Sequence, residues 1–345
     1  MSRFKHLVAG VIVYFLLALA GVSCGPAGQQ QEVTYMAIRG YTQGTTYMVK
    51  YSSRDSTSWK SEIGQILYEV DSSMSTYKEH SIISRVNRND TAVRVDDHFR
   101  KVFQTARRVS RMTDGAFDIT VAPLVNAWGF GFTERSKVDS STIDSLLQYV
   151  DYRDVRLKDG RVRKEDDRIM VDMNAIAQGY AVDAIARFLE DHNTRNYLVE
   201  IGGEVKTRGV NPDGQPWRIG IDKPVDSSSA AERQLQAVAS IQERAVATSG
   251  NYRKFYIEDG VKYSHTINPH TGYPVRHSLL SVTVFADECV FADALATAFM
   301  IMGRQASKEM LEEHPSIGAY FIYSDESGQF QVDYTANIKG LITNL

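Results

Sequence analysis

Cysteine is nearly absent, with only Cys24 and Cys289 among 345 residues. That excludes a disulfide-stapled scaffold and any CxxC metal or redox site. Charge of one sign is lacking too: Lys and Arg number 39 against 42 Asp and Glu, a net charge of −3, so no basic excess marks a nucleic-acid binder. No GxGxxG, GxxxxGKS/T or HExxH segment occurs, which removes the phosphate-cradling or zinc-holding residues of a Rossmann fold, a P-loop or a zincin. Long apolar runs are missing except for the 14 residues Leu7–Ala20, short of the roughly 20 that a spanning helix needs. Repeats and low-complexity blocks are also missing. What is present, 43% apolar and 23% charged residues, suits a globular chain with a sizeable core.

Arg3 and Lys5 precede the apolar run, and Gly21-Val22-Ser23 follow it before Cys24. This charged, apolar and small-residue order is that of an export signal. A cysteine directly after the cleavage region resembles a bacterial lipobox. Residues 1–23 are therefore expected to be removed and Cys24 to carry acyl chains, more than one of which anchors a protein stably. An ordinary cleaved signal, or an uncleaved anchor, is the plainer alternative. Residues 24–33 then read as the lipidated cysteine and a polar tether, and residues 34–345 as one exported domain facing the periplasm. Cys289, in the apolar stretch Leu280–Ala294, reads as a small core residue.

Within the domain the signals alternate irregularly. Val33–Tyr51 reads as two strands around Gly40–Gly44. Trp59–Met74 and His98–Met112 carry apolar residues at helical spacing, and Ser140 or Ser141 is expected to cap a short helix over Ser141–Tyr149. Arg168–Met173 reads as a strand leading into a helix over Ala177–His192. Tyr197–Ile201, Val205–Gly209 and Trp217–Asp222 read as consecutive strands, Leu235–Ile241 with Arg244–Thr248 as a hairpin, and further strands fall near 253–257, 262–267 and 279–285. Helices over Val290–Met302 and Arg304–His314 and a hairpin of Ile317–Tyr323 with Gln329–Tyr334 close the chain. Runs of strands mixed with helices indicate an α+β fold with mixed or antiparallel sheets.

Several junctions carry chemistry, each with a plainer reading beside it. In Asp114–Thr120, Gly115 can take the left-handed cap conformation and leave backbone beside Asp118 for a polar ligand; a plain turn would look the same. Asp172 lies just before a helix N-terminus, where N–H groups attract anions, although an Asx-type cap also explains it. Gly179 in that helix's first turn permits a close approach. Asp293 and Thr297 are four apart and project from one helical face, a pair of hard oxygen donors suited to Mg²⁺. A threonine bonded back to its helix and an aspartate acting as a cap is the alternative. His265 ends a strand before the turns Asn268-Pro269 and Gly272-Tyr273-Pro274, placed to act as a base near neutral pH or to serve the structure alone.

Taken in order, these segments resemble the ApbE family of FAD:protein FMN transferases from bacterial envelopes. The likeness runs through Gly44–Tyr47, Ser75-Thr76-Tyr77, Asp114–Thr120, Pro123–Asn126, Trp128–Gly131, Asp172–Tyr180, Ile201-Gly202-Gly203, Thr248–Tyr252, His265–Pro274 and Asp293–Thr297. The resemblance implies two lobes with FAD in the cleft between them, contacted by Gln43, Tyr77, Ala116, Phe117, Asp118, Asp172, Gln178 and the backbone at Ile267. Where relatives carry Met this chain has Gln43, and Gln178 stands where Lys or Glu is frequent. The resemblance further implies Mg²⁺ on the carbonyl of Ala175 and the side chains of Asp293 and Thr297, and transfer of FMN to a protein Thr or Ser with release of AMP. Either His265 or Asp293 would assist the attacking hydroxyl. The implied acceptor is an exported or membrane protein with a Ser/Thr-Gly-Ala-Ser/Thr type site, such as a subunit of an ion-pumping NADH:quinone complex. An FAD-storing lipoprotein and a periplasmic FAD pyrophosphatase remain as alternatives.

Overall fold

The computed structural model describes residues 34–131, 138–225, 234–251, 255–258 and 261–345; the expected signal, Cys24, the tether and Tyr252 lie outside them. The first described unit is a hairpin of β1 (Thr34–Thr42) and β2 (Thr45–Ser53). Its two-residue turn has positive φ at both Gln43 (49°) and Gly44 (74°), the twist that matches a right-handed strand pair. Alternation in β2 turns Tyr47, Val49 and Tyr51 into the core.

The helices α1 (Lys60–Met74), α2 (Ile82–Asn87), α3 (Asp97–Met112), α4 (Ala122–Ala127) and α5 (Ser140–Leu147) follow. In α3 the residues Phe99, Val102, Phe103, Ala106 and Val109 form one buried stripe, and Asp96 caps it by accepting from Phe99 N. The cap of α5 is Asp139, which accepts from Thr142 N at 2.8 Å, rather than Ser140 or Ser141. Its Oδ1 also accepts from the Thr142 and Ser141 hydroxyls, and these hydrogen bonds hold its pKa down to about 2.

A small hairpin of β3 (Val155–Lys158) and β4 (Arg161–Lys164) precedes α6 (Ala177–Asp191). The strand expected over Arg168–Met173 joins no ladder. The side chain of Asn87 takes a neighbouring strand's place there, donating to Val171 O and accepting from Val171 N, both at 2.8 Å. After α6 come β5 (Tyr197–Ile201), β6 (Glu204–Arg208), β7 (Trp217–Asp222), β8 (Leu235–Ile241), β9 (Ala245–Gly250), β10 (Phe255–Glu258), β11 (Val261–Ser264) and β12 (Leu279–Ala286). Helices α7 (Cys289–Met302) and α8 (Arg304–Glu312) and the strands β13 (Gly318–Ser324), β14 (Phe330–Tyr334) and β15 (Ile342–Asn344) complete the order.

An eight-stranded sheet, β1-β2-β5-β6-β9-β12-β13-β14, organises the molecule, with every neighbouring pair antiparallel. Alternation along its strands feeds two cores. Ala245, Ala247, Val282, Val284 and Phe321 face the helical layer, while Val246, Phe285, Tyr320 and Ile322 face a three-stranded sheet, β15-β8-β7. The fold is thus α+β in three layers. The hairpin expected from Leu235–Ile241 and Arg244–Thr248 does not form, because β8 pairs with β7 and β15 while β9 pairs with β6 and β12. The chain changes sheet between them, where Thr207 holds Gln242 O and Arg244 O by its hydroxyl and Arg244 O again by its N–H.

Candidate functional site

The start of α6 gathers most of the expected site residues. Neither α6 nor α7 receives a side-chain cap from its own N-cap residue, Ile176 and Glu288 respectively. Each helix instead uses an aspartate of the other. Asp183 of α6 accepts from Val290 N at 2.8 Å, and Asp293 of α7 accepts from Gly179 N at 2.9 Å. The crossing is close: a Cβ on Gly179 would lie 2.5 Å from Cys289 O and 2.8 Å from Asp293 Cβ. Glycine is required here for approach, since its φ is not in the left-handed region.

Asp293 is 7% exposed, and Gly179 N is its one hydrogen-bond partner among the described residues. Burial disfavours its anion and pushes its pKa up to about 7, with the Gly179 N–H pulling the other way. One turn along, Thr297 is half-buried and its hydroxyl lies 3.3 Å from Ser249 Oγ at the end of β9. Asp293 makes no hydrogen bond to His265. His265 is placed instead against α4's end, its ring 6.4 Å from that of Phe130.

On the sheet side of α6, Gln178 donates to Gln43 O at 3.5 Å and lies against Gly202, so the β1–β2 turn, the β5–β6 turn and α6 meet. Gln43 Oε1 is buried without a hydrogen bond among the described residues. An orphaned acceptor in that position fits a ligand carrying N–H or O–H groups.

Before α6, Asp172 N donates to Ile119 O at 2.7 Å, which ties this segment to the Asp114–Thr120 turn. Asp172 Oδ1 accepts from Asn174 N at 2.7 Å and Oδ2 from Asn174 Nδ2 at 3.2 Å, so the Asx turn is formed. Desolvation raises its pKa against those two bonds. Asn174 Nδ2 also reaches Thr76 Oγ1 at 3.4 Å, bringing the segment carrying Tyr77 to the same end of the helix. Asp118 is buried and fully engaged: Oδ1 accepts from Thr120 N and Oγ1, and Oδ2 from Tyr152 N. Burial raises its pKa too. Its carboxylate shapes the turn that presents Ala116 and Phe117, both buried. Gly115 holds a left-handed conformation (φ 82°), and its absent Cβ leaves room for His270 Cε1 at 3.1 Å. That contact sets the His265–Pro274 loop beside Ala116–Asp118. The loop is closed by an Ile267–Pro274 bridge and by Trp128 Nε1 donating to Gly272 O at 2.8 Å.

A cavity of about 150 Å³ opens beside Asp172, lined also by Thr76, Asn87, Arg88, Ala122 and Met170. Arg88 and Asn87 carry no signal in the sequence, because Asn87 is joined to its partner Val171 across 84 residues. The donor set at the two-helix crossing, a buried carboxylate with no ion pair among the described residues and a hydroxyl one turn away, has the hard-oxygen chemistry of a Mg²⁺ site. Ala175, half-buried in the turn that opens α6, offers a carbonyl at the same helix end. No group of three or more His, Cys, Asp or Glu side chains is found among the described residues; a site of one carboxylate, one hydroxyl and one carbonyl is not of that type.

Comparison with known proteins gives one consistent answer. The sequence profile of the ApbE family matches residues 43–321. An FAD:protein FMN transferase of Haemophilus influenzae is 36% identical over 339 residues, covering 94% of this chain and 95% of its own. One from Vibrio cholerae is 37% identical over 306 residues, covering 86% and 90%. Among solved structures, the flavin transferase ApbE from Vibrio cholerae superposes with a TM-score of 0.80 at 34% identity, covering 90% of this chain and 100% of its own. The apo form of the Pseudomonas stutzeri flavinyl transferase ApbE gives 0.78 at 33% identity, covering 90% and 97%.

Proposed function

The chain belongs to the ApbE family and is an FAD:protein FMN transferase, and we propose that it works with Mg²⁺ at the α6–α7 crossing on an exported acceptor protein. The observation that carries the metal reading is Asp293, a buried carboxylate with one N–H partner and no ion pair among the described residues. When bound there by Asp293, Thr297 and the Ala175 carbonyl, Mg²⁺ would offset charge on the pyrophosphate of FAD. Binding of the flavin and adenosine parts falls to Gln43, Tyr77, Ala116, Phe117, Asp118, Asp172, Gln178 and the Ile267 backbone. Several of these act through the turns they shape.

In the transfer, the oxygen of an acceptor Thr or Ser attacks the FMN-side phosphorus. The bond from that phosphorus to the bridging oxygen breaks, and AMP departs with the electron pair. The hydroxyl proton passes to a base, for which His265 and Asp293 are the candidates. Most of the rate comes from holding the hydroxyl, phosphorus and leaving group in line.

The acceptor is proposed to be a subunit of an ion-pumping NADH:quinone or related electron-transport complex with a Ser/Thr-Gly-Ala-Ser/Thr type site. The enzyme reaches it from the periplasmic side, held by lipid on Cys24 after removal of residues 1–23. Loss of the anchor in a Cys24→Ala variant, seen as release from the membrane fraction, tests that part. Asp293→Ala is expected to abolish transfer while FAD binding remains measurable by flavin fluorescence quenching; near-normal transfer would remove the metal assignment. FAD pyrophosphatase activity is favoured as a second reading by one feature: Tyr77 is 76% exposed, so the site is open to water as the competing nucleophile.

A further inference from the structure

We propose a second anion site, for a phosphate monoester dianion, in the groove between α3 and α6. The groove offers about 400 Å³, open to solvent, and shares no lining residue with the cavity beside Asp172. Lys101, Gln104, Thr105 and Arg108 stand at i, i+3, i+4 and i+7 on one face of α3. Across the groove α6 presents Tyr180 and Arg187, also seven apart, and the start of α7 closes one end with Glu288 and Val290.

The two arginines here are held by rings, not by carboxylates. Arg108 stacks 4.6 Å above Phe291 and Arg187 lies 5.3 Å from the Tyr180 ring centroid. The Tyr180 hydroxyl itself is met by His98 Nδ1 at 2.9 Å. Among the described residues none of Lys101, Arg108 and Arg187 forms an ion pair. Stacking fixes the plane of a guanidinium while leaving its N–H edge for a ligand. Gln104 and Thr105 add neutral donors. Three cations against the single carboxylate of Glu288 leave two positive charges, which matches a dianion better than the single charge of a phosphodiester. The groove shares α6 and α7 with the proposed flavin site, but none of the residues assigned to FAD or Mg²⁺ lines it, so its occupant is distinct from FAD.

The experiment uses the full chain in detergent, saturated with FAD so that the flavin site is filled, and free of divalent metal. Inorganic phosphate, glycerol 3-phosphate and the diester dihexanoylphosphatidylglycerol are titrated by calorimetry. Inorganic phosphate and glycerol 3-phosphate are expected to bind saturably, and the diester more weakly. Reversal of two cations in Lys101→Glu/Arg108→Glu is expected to weaken monoester binding by about tenfold or more, with FAD binding unchanged. Glu288→Gln, which removes the opposing charge, is expected to tighten it several-fold, a gain that misfolding cannot imitate. Absence of saturable monoester binding, equal binding by wild type and the reversal variant, or loosening in Glu288→Gln would each overturn the site. Diester binding as tight as the monoester's would overturn the dianion and point to a lipid headgroup.

Discussion

Among the described residues Asp293 has one hydrogen bond and no ion pair, and it is almost closed to solvent; its chemistry follows from that burial. In an unfolded chain its pKa lies near the ordinary value of about 3.9, whereas in the fold it is about 7. Between those values the folded protein holds a proton that the unfolded chain has released, so metal-free stability falls as pH rises from about 4 to 7 and levels above it. A divalent ion binds the carboxylate form. The rise in Tm on adding Mg²⁺ should therefore be larger at pH 8 than at pH 6, and the Asp293→Asn variant should lose both the slope and most of the Mg²⁺ response. An equal response at the two pH values, read by thermal unfolding with and without EDTA, would contradict the assignment.

The Asp293–Thr297 pairing was readable from four-residue spacing on an apolar helix, because that spacing alone sets a shared face. What Asp293 touches was not readable, since Gly179 is 114 residues distant. The same limit explains Asp118. Its place beside Gly115 marks a turn, but only the fold shows both oxygens engaged by Thr120 and Tyr152.

At the scale of elements, the two central helices stand or fall together. Each lacks a cap of its own and takes one from the other. Gly179→Ala inserts a methyl against the Cys289 carbonyl, a backbone atom that cannot swing aside. It should cost about 1–3 kcal/mol and displace the Asp293 carboxylate, lowering kcat in flavin transfer more than it weakens FAD binding. Asp183→Ala would leave Val290 N without its acceptor and the Lys206 ammonium, 3.1 Å from Asp183 Oδ1, without its counter-charge. A loss of about 3–5 kcal/mol is expected for removing one member of such a buried pair; Asp183→Asn, which keeps an acceptor for Val290, should lose less. Denaturant unfolding of the two variants checks the order. Lengths of the long helices were readable in the sequence from their apolar stripes. Pairing of β8 and β9 was not, because alternation gives the faces of a strand without naming its neighbour, and here the chain switches sheets between them.

For the whole molecule, the large sheet serves as a wall between two cores and as the frame that delivers loops to one end of α6. The turns β1–β2 and β5–β6 arrive there with Gln43 and Gly202, and the Asp114–Thr120 turn arrives by way of Asp172. Loops from segments far apart in sequence thus meet at one helix end, which is why no short motif identifies the site and the ordered set of segments does. Deleting the Trp128 indole donor (Trp128→Phe) should free the His265–Pro274 loop from α4 and reduce transfer severalfold, with little change in Tm.

The most direct measurement gives the protein FAD and an acceptor carrying a Ser/Thr-Gly-Ala-Ser/Thr site, with Mg²⁺ or with EDTA, for wild type and Asp293→Ala. Flavin fluorescence that stays with the acceptor on a denaturing gel, with AMP released in equal amount, is expected only for wild type with Mg²⁺. A fluorescent acceptor in EDTA or from Asp293→Ala, or AMP and free FMN with no labelled acceptor, would contradict metal-assisted transfer to protein at the α6–α7 crossing.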